Sequence, residues 1–203
     1  DRLMFARDRR DFVAAHALVR RTLSRHRALA ETAWAFEVGR HGKPSIVEAL
    51  RGSPPLVFNL SHTQGLVACA VGTAVELGID VESVDRSAND LKLAERFFAP
   101  SEAADLLAQP ASDRRMRFIE LWVLKEAYIK AVGRGLSHSL ASFAFELTGE
   151  HELRFTAPPG ESAVRWHFAL FAVDERYRLA MAVCACEDTA SVDFALHNGD
   201  VDA

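Results

Sequence analysis

The chain has 203 residues, 49% of them hydrophobic and 26% charged, with a formal net charge of −4. That balance describes a folded protein of one large domain or two small lobes, able to bury roughly 70% of its unfolded surface without disulfide staples. It excludes a global electrostatic case for nucleic acid, and a membrane span, since no apolar run approaches ~20 residues. Three cysteines (Cys69, Cys184, Cys186) with no C-x-x-C spacing, and no opening signal sequence, point to a reducing, cytoplasmic setting.

Residues 8–26 carry Phe12, Ala15, Leu18, Val19 and Leu23 at helical spacing. Arginines crowd the start (Arg2, Arg7, Arg9, Arg10), either as a solvated basic face or as phosphate contacts near a helix N-terminus. Residues 29–37 are ambiguous and end as a strand at 34–36. Gly39-Arg40-His41-Gly42-Lys43-Pro44 is a turn. Its glycines admit close approach of a ligand, and Lys43 is a point charge suited to a phosphate.

Residues 56–61 and 66–71 read as strands joined by His62-Thr63-Gln64-Gly65. Asn59 and Ser61 share one strand face. Ser61 and His62 are adjacent and so point to opposite faces, and no G-x-S-x-G elbow is present, which sets a serine hydrolase aside. They are turn chemistry or hydrogen-bond donors to a bound group. A third strand over 75–81 runs into Glu82. Asp80 and Glu82 share its face, about 7 Å apart. On an exposed face the pair means nothing; facing a cleft it suits a hard cation of the Mg²⁺ kind, completed by substrate phosphate and water.

Short helices are expected over 91–98 and 100–107. Glu102, in the first turn of the second, has an ordinary reason to be there, since acids favour helix N-termini. A long helix over 113–132 follows, stopped by Gly133 and Gly135. Phe118, Trp122 and Ile129 form its apolar stripe, widened by Leu121, Leu124 and Tyr128. Glu126 and Lys130 lie i,i+4 on one face, either as a surface ion pair or as chemistry beside a buried stripe. Strands are expected over 143–147, 152–155, 164–173 and 179–186, and a further one over 191–197. His138, His151, His167 and His197 lack metal-ligand spacing and read as structural or surface residues.

Taken together, Gly42-Lys43-Pro44, Phe58-Asn59-Leu60-Ser61-His62, Gly78-Ile79-Asp80-Val81-Glu82 and the block from Trp122 to Leu136 stand in an order that resembles the 4′-phosphopantetheinyl transferases. The likeness is to the large monomeric type that activates peptide and polyketide synthetases. It spans nearly the whole chain, from Phe5-Ala6-Arg7-Asp8 to Ala182-Val183-Cys184.

The resemblance implies an α+β fold of two similar lobes related by a pseudo-twofold. Each lobe would be a small, mostly antiparallel sheet with a packed helix, with coenzyme A in the cleft between them. The lobes would be residues 1–77, lacking a first strand and helix, and residues 78–203. It implies Mg²⁺-dependent transfer of the phosphopantetheine arm from coenzyme A to a serine of an acyl- or peptidyl-carrier protein, releasing adenosine 3′,5′-bisphosphate. Asp80, Glu82 and Glu126 would hold Mg²⁺ against the pyrophosphate. Glu126 or Glu102 would take the serine proton. Lys130 would neutralise the leaving bisphosphate. Lys43 and His62, with Arg7 and Arg40, would hold the 3′-phosphate, and Ser61 and Asn59 would donate to phosphate oxygens. The protein is expected to be a monomer. An acidic carrier needs a local basic or apolar patch, for which residues 86–98 are the candidate, with Arg86, Lys92, Arg96, Leu91 and Leu93.

Two other readings compete. A Mg²⁺-dependent nuclease could use the acidic cluster with Lys130, although such enzymes place E-x-K on a strand, and no net basic charge supports it. A catalytically silent coenzyme-A-binding module would bind the co-substrate and leave the carrier unmodified.

Overall fold

A computed structural model describes residues 6–39, 42–73, 76–85, 90–133, 139–148, 152–185 and 192–197, with the side chains of 6–10 and 90 outside the description. The first half holds α1 (Ala6–His26), β1 (Phe36–Val38), β2 (Pro44–Ile46), α2 (Glu48–Arg51), β3 (Val57–Thr63) and β4 (Leu66–Gly72). It is followed by β5 (Glu76–Ser83), α3 (Asp90–Phe97), α4 (Pro100–Ala108), α5 (Arg114–Val132), β6 (Ala144–Thr148), β7 (Glu152–Thr156), β8 (Trp166–Ala172) and β9 (Tyr177–Cys184). All strand ladders are antiparallel: β1 with β2, β3 with β4, β6 with β7, and a three-stranded sheet in the order β5-β9-β8. The α+β class with small antiparallel sheets is as the sequence leads one to expect.

Several expectations change. The ambiguous stretch before β1 is a short 3₁₀ turn at Glu31–Ala33, and the strand begins only at Phe36. The Gly-Lys-Pro turn stands as expected, connecting β1 to β2, although Pro44 already opens β2. Residues 192–197 form no strand, although Val192 and Phe194 pack against the cluster around Ile79 and Leu179. Apolar pattern alone did not distinguish a strand from a segment that merely covers a core.

α1 buries Val19 and Leu23 against Trp34, Ile46, Leu56 and Phe58. Phe12, counted in its apolar stripe from sequence, is instead half exposed and lies against the ring of His16.

α5 is the core helix. Ten of its 19 residues are buried, and they cover its whole circumference, so it is enclosed rather than amphipathic. Phe118 stacks on Phe98 and Trp122. Tyr128 meets Phe143, Phe155 and Trp166. The other side rests on β5 and β9 through small residues: Ala127 and Ala131 of the helix, Ala180 and Ala182 of β9, and Gly78 of β5. A Cβ on Gly78 would overlap the Ala127 carbonyl oxygen and crowd the Ala131 nitrogen. Glycine here allows helix and strand backbones to touch, which sets how far the helix stands above the strand.

β5 is paired on both edges by different means. One edge ladders with β9. The other meets β3, where side chains replace carbonyls: Asn59 Oδ1 accepts the Ile79 N–H at 2.9 Å and Ser61 Oγ accepts the Val81 N–H at 3.3 Å. These bonds satisfy buried donors that would otherwise be costly to leave unpaired.

Candidate functional site

β5 carries Asp80 and Glu82, α5 carries Glu126 and Lys130, and β3 carries Asn59, Ser61, His62 and Thr63. Where the three elements meet, Lys130 Nζ lies 2.6 Å from Asp80 Oδ1 and 2.8 Å from Ser61 Oγ. Ser61 in turn donates to Asp80 Oδ1 at 2.8 Å. One sequence-expected residue from β3, Ser61, and one from α5, Lys130, thus meet at the buried carboxylate of β5. Lys130, which from sequence alone could have been a surface partner of Glu126, reaches across to the strand. Its side chain is 29% exposed against 9% for Asp80, so the ammonium spans the rim of the site. Burial pushes Asp80 above the usual carboxylate range, opposed by the positive charge of Lys130 and the hydrogen bonds from Lys130 and Ser61. Nearby Glu82 adds to the upward push.

Glu82 is fixed by a residue that sequence reading passed over. Thr63 donates to Glu82 Oε1 at 2.6 Å, and the Ser83 N–H donates to the same oxygen at 3.1 Å. Thr63 continues the alternation of Asn59 and Ser61 along β3, and that period of two was the signal available for it. Glu126 is half-buried, one turn before Lys130 on the same helix. Among the described residues the three carboxylates are not drawn into a ready-made cage. Their donor chemistry nevertheless fits Mg²⁺, a hard cation bound through one or two carboxylates together with substrate phosphate and water.

Other expected residues stand elsewhere or in different company. Asn59 is buried and committed to the β5 backbone. His62 is exposed at the end of β3. Arg7 lies in α1 with its side chain outside the described residues, and Arg40 lies outside them altogether. Lys43 points its ammonium at three carbonyl oxygens, of Leu77, Lys130 and Ala131.

Glu102 occupies a closed environment. One oxygen accepts the Phe145 N–H at 2.9 Å; the other accepts the Ala99 N–H at 3.0 Å and pairs with Lys125 Nζ at 2.7 Å. Both side chains are 0% exposed. Lys125 also donates to the carbonyls of Leu140 and Phe143 and lies over the Phe143 ring. Burial pulls both groups toward their neutral forms, and their mutual attraction opposes it. The sequence hint was a lysine inside the apolar run Trp122–Ile129, at a position that faces inward.

In the 86–98 segment Arg86 lies outside the described residues. Leu91 and Leu93 pack against the core, leaving Lys92, Arg96 and Phe97 on the surface. A cavity of about 460 Å³ lies apart from all these residues, between β7, β8 and Phe194. His167 lines it, with a buried Nε2 that has no hydrogen-bond partner. Among the described residues no helix is long and apolar enough to cross a membrane.

Residues 76–182, which contain Asp80, Glu82, Glu126 and Lys130, match the model of the 4′-phosphopantetheinyl transferase superfamily. The chain is 35% identical to the 4′-phosphopantetheinyl transferase psf-1 of Bacillus pumilus, over 94% of this chain and 77% of that protein. It is 33% identical to the transferase Sfp of Bacillus subtilis, over 88% of this chain and 75% of that one. To the transferase HetI of a Nostoc species it is 32% identical, over 90% and 74% respectively. With the family model spanning more than half of the chain, and relatives above 30% identity aligned over most of both partners, the protein belongs to the 4′-phosphopantetheinyl transferase superfamily.

Proposed function

We propose that this protein is a holo-carrier-protein synthase. It transfers the 4′-phosphopantetheine arm of coenzyme A to a serine hydroxyl of an acyl- or peptidyl-carrier protein and releases adenosine 3′,5′-bisphosphate. The observation that carries the reading is the meeting of Lys130, Ser61 and Asp80 within 2.8 Å of one another, with Asp80 and Lys130 inside the segment that matches the family model. A pyrophosphate under attack needs fixed positive charge where negative charge builds up, and a rim lysine held by a buried carboxylate supplies it.

The serine oxygen forms a new bond to the phosphorus that carries the pantetheine arm. The bond from that phosphorus to the bridging oxygen breaks, and the bisphosphate leaves with the electron pair. The serine proton passes to Glu126, directly or through water. Glu126 is preferred to Glu102 because the Glu102 oxygens are enclosed and spent on Lys125, Ala99 and Phe145. Lys130 turns from Asp80 toward the leaving bisphosphate. Ser61 donates to a phosphate oxygen, while Asn59 keeps β3 in register with β5. His62, exposed at the strand end, receives the 3′-phosphate together with Arg7 and Arg40. Mg²⁺ held by Asp80, Glu82 and Glu126 would offset the charge of the pyrophosphate when bound. Coenzyme A would lie between an N-terminal lobe, residues 1–77, and a C-terminal lobe, residues 78–203, and the enzyme would act as a cytoplasmic monomer.

Chromatography of the nucleotide products tests the chemistry. Adenosine 3′,5′-bisphosphate is expected to appear with Mg²⁺ and carrier protein, and to vanish when a chelator is added. Undiminished release with the chelator present would overturn the metal assignment. Degradation of DNA with Mg²⁺ would favour the nuclease reading.

A further inference from the structure

We infer that Lys43 is a positioning residue: its ammonium clips the C-terminal turn of α5 to the start of β5 and so sets the place of Lys130. The basis is the environment of its nitrogen. Nζ donates to the Lys130 carbonyl at 2.6 Å, the Leu77 carbonyl at 3.0 Å and the Ala131 carbonyl at 3.1 Å. An ammonium has three donors, and here all three are used.

Two of these acceptors are orphans by construction. The carbonyls of the last helical turn have no partner within the helix. α5 stops at Gly133, which adopts φ 70° and returns its N–H to the Ile129 carbonyl at 2.9 Å. That bond satisfies Ile129; among the described residues, the Lys130 and Ala131 carbonyls are met by Lys43. A cation at this end also meets the negative pole of the helix dipole. The third acceptor, Leu77, lies on β5 three residues before Asp80. One nitrogen therefore bonds to the backbone of Lys130 and to the strand that carries its carboxylate partner.

The lysine is itself held. The Gly39 N–H donates to the Lys43 carbonyl at 3.0 Å, and Gly42 turns with φ 82° and bonds back to Gly39. Pro44 then enters β2. The β1–β2 hairpin thus presents Lys43 from a tight turn, and its Cδ lies close to Gly133. Moving the ammonium to a phosphate would strip three carbonyls of their donor at once. Burial already lowers the lysine pKa, partly offset by Glu76.

The kinetic test rests on the transferase reading; the exchange test does not. Lys43→Met keeps the stem and removes the donors. A clip predicts that kcat falls by the same factor with coenzyme A and with 3′-dephospho-coenzyme A, roughly 100-fold for a small displacement of a reacting group. The KM ratio of the two co-substrates stays at its wild-type value. A phosphate ligand predicts the reverse: KM rises for coenzyme A alone, the ratio collapses toward one, and the proposal is overturned. Hydrogen exchange at the amides of 130–133 gives the independent readout. The clip predicts faster exchange there in Lys43→Met, without any co-substrate present; unchanged exchange would also overturn it. If the wild-type protein transfers nothing, the transferase reading fails and exchange alone decides the clip. Should Lys43→Met fail to fold, the same comparisons pass to Lys43→Gln, which retains two donors and is expected to fall between wild type and Met.

Discussion

Asp80 is the residue on which the others depend. It is buried, raised in pKa by that burial, and held ionisable by Lys130 and Ser61. Removing the lysine leaves, among the described residues, a buried carboxylate with the Ser61 hydroxyl as its hydrogen-bond partner and the Glu82 charge nearby. Lys130→Ala is therefore expected to lower kcat by roughly 10²–10³-fold, the usual loss for one charge-stabilising donor. Steady-state transfer assays check this, with circular dichroism to confirm the fold. A fall of less than about tenfold would remove Lys130 from the proposed role.

Glu120 offers a test of electrostatics away from the chemistry. Burial raises its pKa, against the attraction of Arg117 and Arg178, with Asp105 adding to the rise. A carboxylate whose folded pKa lies above its unfolded value makes the folded state the better proton binder. Its cost is absent below the unfolded value of about 4.3, grows as pH rises, and is complete above the folded value. Glu120→Gln should accordingly be more stable than wild type at neutral pH, with the two converging below about pH 4. Urea denaturation across that range measures the difference, and a wild type that gains on the variant as pH rises would contradict the assignment.

At the scale of elements, the close contact of α5 with β5 fixes the site. Gly78→Ala would set a methyl group against the Ala127 carbonyl. Overpacking of this kind costs about 1–3 kcal/mol, and it should lower transfer as well, because Asp80 follows two residues later. Stability without loss of activity would show that the helix can stand off without disturbing Lys130. The Lys125–Glu102 pair ties the same helix to α4 and β6. Losing one partner of a fully buried pair costs about 3–5 kcal/mol. Lys125→Met should show that loss in denaturant titration, and Lys125→Met combined with Glu102→Leu should recover much of it.

How much of this was legible in the sequence follows from what kind of fact each was. The length of α5, its glycine stop and the Asp80/Glu82 face follow from local pattern, and they stand as read. The enclosure of α5 on every side does not, because periodicity reports the strongest stripe and is silent on the weaker ones. Long-range partners were the least legible. In the sequence Lys43 shows only its charge, and its three carbonyls lie 34 to 88 residues away along the chain. Glu102 has the local pattern of a helix-start acid, and Lys125, which pairs with it, is 23 positions on. Arg40 and Arg86 lie outside the described residues.

For the whole molecule, β5 is the common wall. It ladders with β9 on one edge, receives the side chains of β3 on the other and carries α5 on its face. Chemistry drawn from β3, β5 and α5 can therefore share one place only while all three stay packed. The most direct measurement is intact-mass spectrometry of an apo-carrier protein after incubation with this protein, coenzyme A and Mg²⁺. The account predicts that the carrier gains the mass of one phosphopantetheine group, and that Glu126→Gln, folded as judged by circular dichroism, leaves it unmodified. An unmodified carrier at high concentration of the wild-type protein, or full modification by Glu126→Gln, would contradict it.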